Sequence, residues 1–370
     1  MIQAISIDLS SVPRRITGAG RYGVEFAKAA QRRAEEFGID LTAIVAKGEA
    51  RRIGELTGTR TRELVPSNRV SRLLYEKAVL GRVLSRSRFK LHHGIHYTMP
   101  RGFSGKIVVT VHDTTLIDHP EWHERSKVAF FSREIAHAAK FADGIIFPSH
   151  FVAERFRALF GQSQPHQVIP HGVRTVTPPD GFDIASVVGK EAAEAGYLLF
   201  CGTIEPRKNL ERIVEAYVKA RSERYLVLVG LKGWNMDNFA NLISSAVNSE
   251  RIKVLGFVDD ATLASLYQHA FCTLYPSLEE GFGLPGLEAL AYGSPLITSK
   301  DSAMAEYAFD GVKLVDPNSV DEIADAIAGV SDEKMERLRL SKLGRERSLA
   351  YNWENSGLAH LDFYRRILES

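Results

Sequence analysis

Residues 271–299, FCTLYPSLEEGFGLPGLEALAYGSPLITS, hold an apolar run, a glycine-rich loop, a helical stretch and a second apolar run. The first run reads as a strand ending near Pro276. Pro285 suits the first turn of a helix and Gly293 suits its end. The run that follows, SPLITS, is again strand-like. Strand, helix and strand in this order are the repeating unit of a parallel sheet with both faces covered.

The same alternation extends in both directions. From Tyr197 it runs YLLFCG, NLERIVEAYVKARS, YLVLVGLKG, FANLISSAVNS, IKVLGFV and ATLASLYQHA. Nearer the N-terminus come IQAISIDLS, DLTAIVA from Asp40, KLHHGIHY, KIVVTVHD, the helical HERSKVAFFSREIAHAAKFA, DGIIFPS, HFVAERFRALFG and HQVIPHGV. Between the two series, RTVTPPDGFDIASVVGKEAAEAG has paired prolines and no sustained period, and reads as a linker with a short helix. A chain of 370 residues exceeds one ordinary core. The expected fold class is therefore α/β, with two doubly wound domains over 1–173 and 196–350, a linker over 174–195, and an amphipathic closing helix over 351–370. Ligands of such sheets bind beyond the carboxyl ends of the strands, so two facing edges would make a two-substrate cleft.

Composition narrows the partners. Lys and Arg number 47 against 45 Asp and Glu, a net charge of +2, so the overall balance calls for no polyanion. Locally, residues 51–90 hold eleven Lys or Arg against three Glu, interrupted by apolar pieces such as RLLYEKAVLGRVL. Either this is a solvated helix face, or it is a basic amphipathic surface for anionic lipid head groups or a lipid-linked phosphate. No aromatic platform interleaves the basic residues, which argues against nucleic acid. The two cysteines, Cys201 and Cys272, lie in apolar runs and read as small hydrophobes on strands, with no disulfide framework. No basic leader with an apolar core opens the chain and no run reaches membrane-spanning length, so a cytoplasmic protein is expected, with any membrane contact peripheral on the inner face.

The chemistry-bearing residues fall in four places. In TGAGRYGVEF, Gly18, Gly20 and Gly23 spell G-x-G-x-x-G. A dinucleotide-binding reading needs these glycines directly after the first strand and an acid ending the second. Here SVPRRITG intervenes, and Asp40 opens the second strand, so an NAD-dependent oxidoreductase is the distant alternative. The plainer reading is a glycine-rich loop opening the helix YGVEFAKAAQRRAEEFG, or a simple turn and cap.

In the opening stretch, the amides of Phe282, Gly283 and Leu284 would stand at a helix N-terminus, a ready anion site. Glu280 and Glu288 flank it. Beside a phosphate, carboxylates suit neutral sugar hydroxyls: Glu288 those of a ribose, Glu280 those of a transferred sugar. The bland alternative for Glu288 is a first-turn glutamate favoured by the helix dipole. In CGTIEPRKNLERIVEAY, Arg207 and Lys208 stand at the mouth of a helix, where two cations would balance a diphosphate, unless they are only solvated surface charges. In VVTVHDTTLIDHPEWH, His112 and Asp113 follow a strand at its ligand-binding end, and His112 is placed to bond a sugar hydroxyl or departing phosphate. His112, His119 and His123 lack zinc-ligand spacing, and no nucleophile elbow is present.

Taken together, EEGFGLPGLE, GTIEPRKN, GAGRYG, VHD, and SHF after GIIFP resemble the retaining glycosyltransferases of family 4, with the GT-B fold, over nearly the whole chain. The E-x7-E element of Glu280 and Glu288 is the most specific part. NWENSGLAHLDFYRRIL looks like that family's last helix, which crosses back to the N-terminal domain. TVHDTTLIDHPEWH and VGLKGW resemble most closely bacterial mannosyltransferases of O-antigen and exopolysaccharide assembly.

The resemblance implies that Arg207 and Lys208 hold the diphosphate of a nucleotide-sugar donor, Glu288 its ribose, and Glu280 the transferred sugar. It also implies that His112 lies beside the reacting carbon, and that Gly18 and Gly20 bring backbone close to the diphosphate. A metal-independent transfer of mannose from GDP-mannose to a glycan acceptor, one linked to a lipid diphosphate, is the resulting expectation, with a UDP-sugar donor as the alternative. One departure stands out: many relatives carry arginine after the glycine equivalent to Gly202, where this chain has Thr203.

Overall fold

The computed structural model describes residues 2–16, 18–161, 164–231, 236–308, 310–330 and 333–370. The chain divides into two units, one of residues 1–172 with 351–370 and one of residues 173–350. Thr17 of the first glycine motif and residues 232–234 of VGLKGW lie outside the described residues.

The first unit is built on a seven-stranded parallel sheet. Its strands are β1 (Gln3–Asp8), β2 (Ile39–Ala46), β3 (Arg60–Val65), β4 (Leu91–Gly94), β5 (Lys106–Thr110), β6 (Gly144–Phe147) and β7 (His166–Val168), in the order β3-β2-β1-β4-β5-β6-β7. The second unit carries β8 (Tyr197–Cys201), β9 (Tyr225–Val229), β10 (Ile252–Gly256), β11 (Cys272–Tyr275), β12 (Leu296–Ser299) and β13 (Lys313–Val315), in the order β10-β9-β8-β11-β12-β13. Every pairing is parallel. The central strands are buried on both faces, β9 along its whole length, as expected where helices cover both sides. In both sheets the strand order reverses beside the unit's first strand, between β1 and β4 and between β8 and β11, which is where such sheets open a ligand crevice.

Two strands differ from the sequence reading. RTRELV (β3) lies within the basic segment, where its charges mask a strand pattern, and KLV (β13) carries no strand signal in the sequence. Each is the outermost strand of its sheet. An edge strand needs one covered face at most, so polar and charged residues are tolerated and the apolar pattern is weak.

The first helix is also longer at its start than expected. It spans Ala19–Arg33, with Gly18 as its N-cap at φ 51°, so Gly20 joins Gly23 inside the helix rather than lying in a loop before it. Their smallness has a packing cause. A Cβ on Gly20 would come 2.9 Å from Pro13 Cδ, and one on Gly23 would come 2.4 Å from Ile95 Cδ1. The motif thus seats a helix tightly on the sheet.

The final helix, Trp353–Glu369, belongs to the first unit and packs along Ala19–Arg33. Leu361, Phe363, Tyr364 and Ile367 enter the same apolar core as Ile5, Ile7, Phe26 and Leu41. A polar seam runs through this contact. Tyr22 Oη meets His360 Nε2 at 2.7 Å and Thr110 Oγ1 at 2.8 Å. His93 bridges Tyr364 Oη at 2.6 Å and Thr110 Oγ1 at 2.8 Å. Among the described residues no helix is long and apolar enough to cross a membrane.

Candidate active site

At the reversal point of the second sheet, β8 and β11 end side by side, and the segments that follow them carry the charged residues. After β8, a short helical turn Pro206–Lys208 presents Arg207 and Lys208, and Asn209 follows at φ 62° as the cap of helix Leu210–Lys219. The Asn209 side-chain amide donates to the carbonyls of Pro276, at 2.9 Å, and Pro317, at 2.6 Å. The Leu278 N–H donates to the Arg207 carbonyl at 2.9 Å. These bonds fix the two loops against each other.

Glu280 lies between the cations. Its Oε1 accepts from Lys208 Nζ at 2.5 Å and from the Tyr275 hydroxyl at 3.0 Å, and its Oε2 accepts from Arg207 Nη1. Lys208 Nζ also donates to Tyr275 Oη at 2.6 Å, closing a triangle. Arg207 is further held by Glu205 at 2.7 Å and by the Glu279 carbonyl at 3.1 Å. Burial works against the charge on Glu280, but Arg207 and Lys208 outweigh it and hold the carboxyl down at about 2. Burial lowers the Lys208 pKa, and Glu280 opposes that shift. Glu280 is therefore an ionised acceptor at neutral pH and has no proton to give as an acid. The cluster is a preorganised pair of cations, held by the buried Glu280 and Tyr275 and the half-buried Glu205.

The glycine loop then leads into helix Leu284–Tyr292. Gly283 caps it at φ 80°, Pro285 stands in its first turn, and Gly293 ends it at φ 79°. The Tyr307 hydroxyl donates to the Gly283 carbonyl at 2.9 Å, and the Phe282 ring packs edge-on to Tyr307. The helix N-terminus is thus fixed in place beside the ion cluster's own loop. Glu288 is the fifth residue of this helix, not in its first turn, because the helix begins at Leu284. That corrects the dipole reading, whose effect fades beyond the first turn. Glu288 is half-buried and receives the Tyr267 hydroxyl at 3.4 Å.

In the first unit, His112 follows β5. Its Nε2 donates to the Ile95 carbonyl at 2.8 Å, which fixes the proton there and leaves Nδ1 as the acceptor. Burial, partly offset by that carbonyl, lowers its pKa. The ring stands edge-on to Tyr22 at 5.0 Å, with His171 at 5.8 Å.

Residues 16–176 match Glycosyltransferase Family 4, and residues 184–347 match Glycosyl transferases group 1. The chain is a glycosyltransferase of the GT-B fold. It is 28% identical over 285 residues to the O-antigen chain mannosyltransferase B of Escherichia coli, covering 75% of this chain and 74% of that protein. In fold it is similar to a sucrose-phosphate synthase from Thermosynechococcus elongatus, with a TM-score of 0.80, 20% identity, and 99% of each chain covered. It is also similar to Anabaena HepE solved with UDP-glucose, with a TM-score of 0.73, 17% identity, 99% of this chain and 98% of that one.

Arg207, Lys208 and Glu280 come together in one cluster, and Phe282, Gly283 and Leu284 form the neighbouring helix N-terminus. Glu288 stands apart from that cluster, on the same helix. The sequence reading missed Tyr275 and Glu205, which complete the cluster. Tyr275 was hidden at the end of an apolar strand, where a tyrosine reads as core. It also missed the clustered histidines of the first unit, although LHHGIHY showed three within five positions, of which His92 and His93 are buried and His96 half-buried. Cys272 is buried in β11 with its thiol pushed up to about 12, and Cys201 is half-buried at the end of β8.

Proposed function

We propose that this glycosyltransferase moves a hexose, mannose from GDP-mannose, to a glycan acceptor with retention of configuration. The observation that supports this best is the Arg207–Glu280–Lys208 cluster, with Glu280 and Lys208 buried and Arg207 half-buried, beside the N-terminus of Leu284–Tyr292, a site suited to a diphosphate. In this reading the bond from the sugar carbon to the phosphate oxygen breaks and a bond to the acceptor oxygen forms. The acceptor proton passes to the leaving phosphate. The protein supplies charge stabilisation and orientation. Arg207 and Lys208 take the charge developing on the diphosphate, and the reaction needs no metal. Three of the four lone-pair positions of Glu280 are used by its partners, so one remains for a hydroxyl of the transferred sugar. Glu288 accepts from the ribose. In the first unit, Gly18 and Gly20 serve donor phosphate from the N-terminus of Ala19–Arg33, and His112 Nδ1 accepts from a sugar hydroxyl.

Mannose rests on the likeness to O-antigen chain mannosyltransferase B, and with it a cytoplasmic role in polysaccharide assembly. The basic segment supports a peripheral membrane contact in that role. In helix Arg69–Tyr75, Val70 is 66% exposed and Leu74 is 64% exposed, among Arg69 and Arg72. Reversing exposed charges in residues 69–86 is expected to abolish salt-sensitive binding to vesicles containing phosphatidylglycerol. Binding indifferent to those changes removes the membrane contact.

A thermal-shift panel with GDP, UDP, ADP, NAD and their sugar conjugates tests the donor. A ligand at a hundred times its Kd adds roughly 2.7 kcal/mol of stability. A selective response to GDP and GDP-mannose, with turnover retained in EDTA, is expected. A UDP response moves the donor to a UDP-sugar, and a response to NAD alone sinks the reading.

A further inference from the structure

The reversal point of the first sheet holds a site of its own. Beyond the carboxyl ends of β1 and β4 lies a cavity of about 30 Å³, room for one or two hydroxyl groups. Asp8, Arg72, Glu76, His96 and Thr98 line it, with the Phe131 ring beside them. Asp8 ends β1 and is 6% exposed, and one of its oxygens accepts the Ser10 N–H at 2.8 Å. Arg72 donates to the Ser10 carbonyl at 2.9 Å, so its head group is directed to backbone.

Glu76 is 5% exposed. It opens a π-type turn, Glu76–Leu80, which interrupts the helical run between Arg69 and Arg86. Such insertions re-aim side chains and recur at functional sites. The Thr98 hydroxyl bonds its carboxyl, yet Oε1 has no hydrogen-bond partner among the described residues. Glu76 lines the cavity, and a buried polar atom left unmatched on such a residue calls for a partner there.

We propose that this cavity binds a neutral hydroxyl pair on the acceptor's sugar, with Glu76 donating to one hydroxyl oxygen and Asp8 accepting from a hydroxyl proton. A hydroxyl both donates and accepts, and a carboxylic acid beside a carboxylate matches it. Arg72, the cation lining the cavity, is already engaged by the Ser10 carbonyl, so the lining suits a neutral polyol better than phosphate. The inference rests on the glycosyltransferase reading and names the chemistry of its acceptor.

Titration supports the assignment. Burial, then the charge of Asp8, raises Glu76 to about 8, while Thr98 and Arg72 oppose the rise and Glu134 adds to it. Glu134 comes from helix Arg125–Phe141 and is itself answered by Lys77 at 2.6 Å and Arg101 at 3.8 Å. Burial lowers His96 to about 3, so it faces the cavity uncharged. Glu76 thus carries a proton at neutral pH and loses it in mild alkali.

Saturation-transfer NMR of the full chain with methyl α-mannopyranoside, and with inorganic phosphate as competitor, tests this. Wild type is expected to bind the mannoside at pH 7 and to weaken about tenfold by pH 9. Glu76→Ala is expected to weaken binding about tenfold at pH 7, while Glu76→Gln, which keeps a donor, stays within about threefold and loses the pH response. The Glu76→Gln melting temperature controls for folding. No mannoside binding by wild type, binding unchanged in Glu76→Ala, an unaltered pH response in Glu76→Gln, or displacement by phosphate each overturns the proposal. The nucleotide thermal shifts are read on the same samples. A GDP response without mannoside binding defeats only this inference, and mannoside binding without any nucleotide response defeats only the donor assignment.

Discussion

Glu280 shows how one buried carboxylate can organise two cations. Removing either cation leaves the acid underpaired and takes charge from the site at once. Lys208→Ala and Arg207→Ala are each expected to lower kcat by about 10²–10³-fold, the range seen when one donor to a developing anion is deleted. Lys190→Ala, at an exposed position, serves as the control. Steady-state turnover within about threefold of wild type for either site variant defeats the charge-stabilising role. Tyr275→Phe separates positioning from charge, since it removes one hydroxyl from the triangle and leaves every charge in place. Its loss in kcat is expected to be smaller than that of Lys208→Ala. Glu280 also sets an acid limit. Its folded pKa, about 2, lies below the ordinary 4.5, so its stabilising contribution is full above about 4.5 and is lost as pH falls towards 2.

At the scale of elements, the helix Leu284–Tyr292 carries the donor prediction. Glu288→Ala is expected to weaken nucleotide binding about tenfold in titration calorimetry, and unchanged affinity leaves Glu288 as a surface acid of that helix. The strands and helices that frame the site were legible because the central strands are continuous apolar runs and the helix has proline and glycine at its ends. The edge strands β3 and β13 were not, because they need less apolar surface. The glycine motif was legible as a motif but not as a structure. Nothing in GAGRYG tells that one of its glycines faces Pro13, just upstream, and another Ile95, distant in sequence. Arg207, Lys208 and Glu280 could each be picked out by local position, but their meeting depends on the pairing of β8 with β11. For the same reason the Asp8 and Glu76 pocket gave no sequence signal: its members come from β1, a helix, and the loop after β4.

Across the whole molecule, the buried imidazoles set the response to acid. Burial lowers His92 and His360 to about 4, and pulls His93 and His171 well below 6.5. Unfolded, each takes up a proton near 6.5; folded, each resists. The histidines' contribution to stability is therefore expected to be flat above about pH 6.5 and to fall as pH drops towards 4, at about 1.4 kcal/mol per histidine per pH unit, against the single opposing slope of Glu76, whose raised pKa costs stability as pH rises from about 4.5 to 8. Urea melts at pH 7.5, 6 and 5 check this, and equal midpoints at all three defeat it. The window lies above the one set by Glu280, so the two effects can be told apart.

The return of Trp353–Glu369 to the first unit also sets an order of events in the cell. Residues 1–172 leave the ribosome without the segment that completes their core. At roughly 5–20 residues per second, the intervening unit takes on the order of 9–36 s to synthesise. Through that interval Tyr22 and His93 lack their partners His360 and Tyr364, and the apolar face around Phe26 is uncovered. The nascent first unit therefore keeps apolar surface exposed through that interval, and the arrival of Trp353–Glu369 is the latch that ends it.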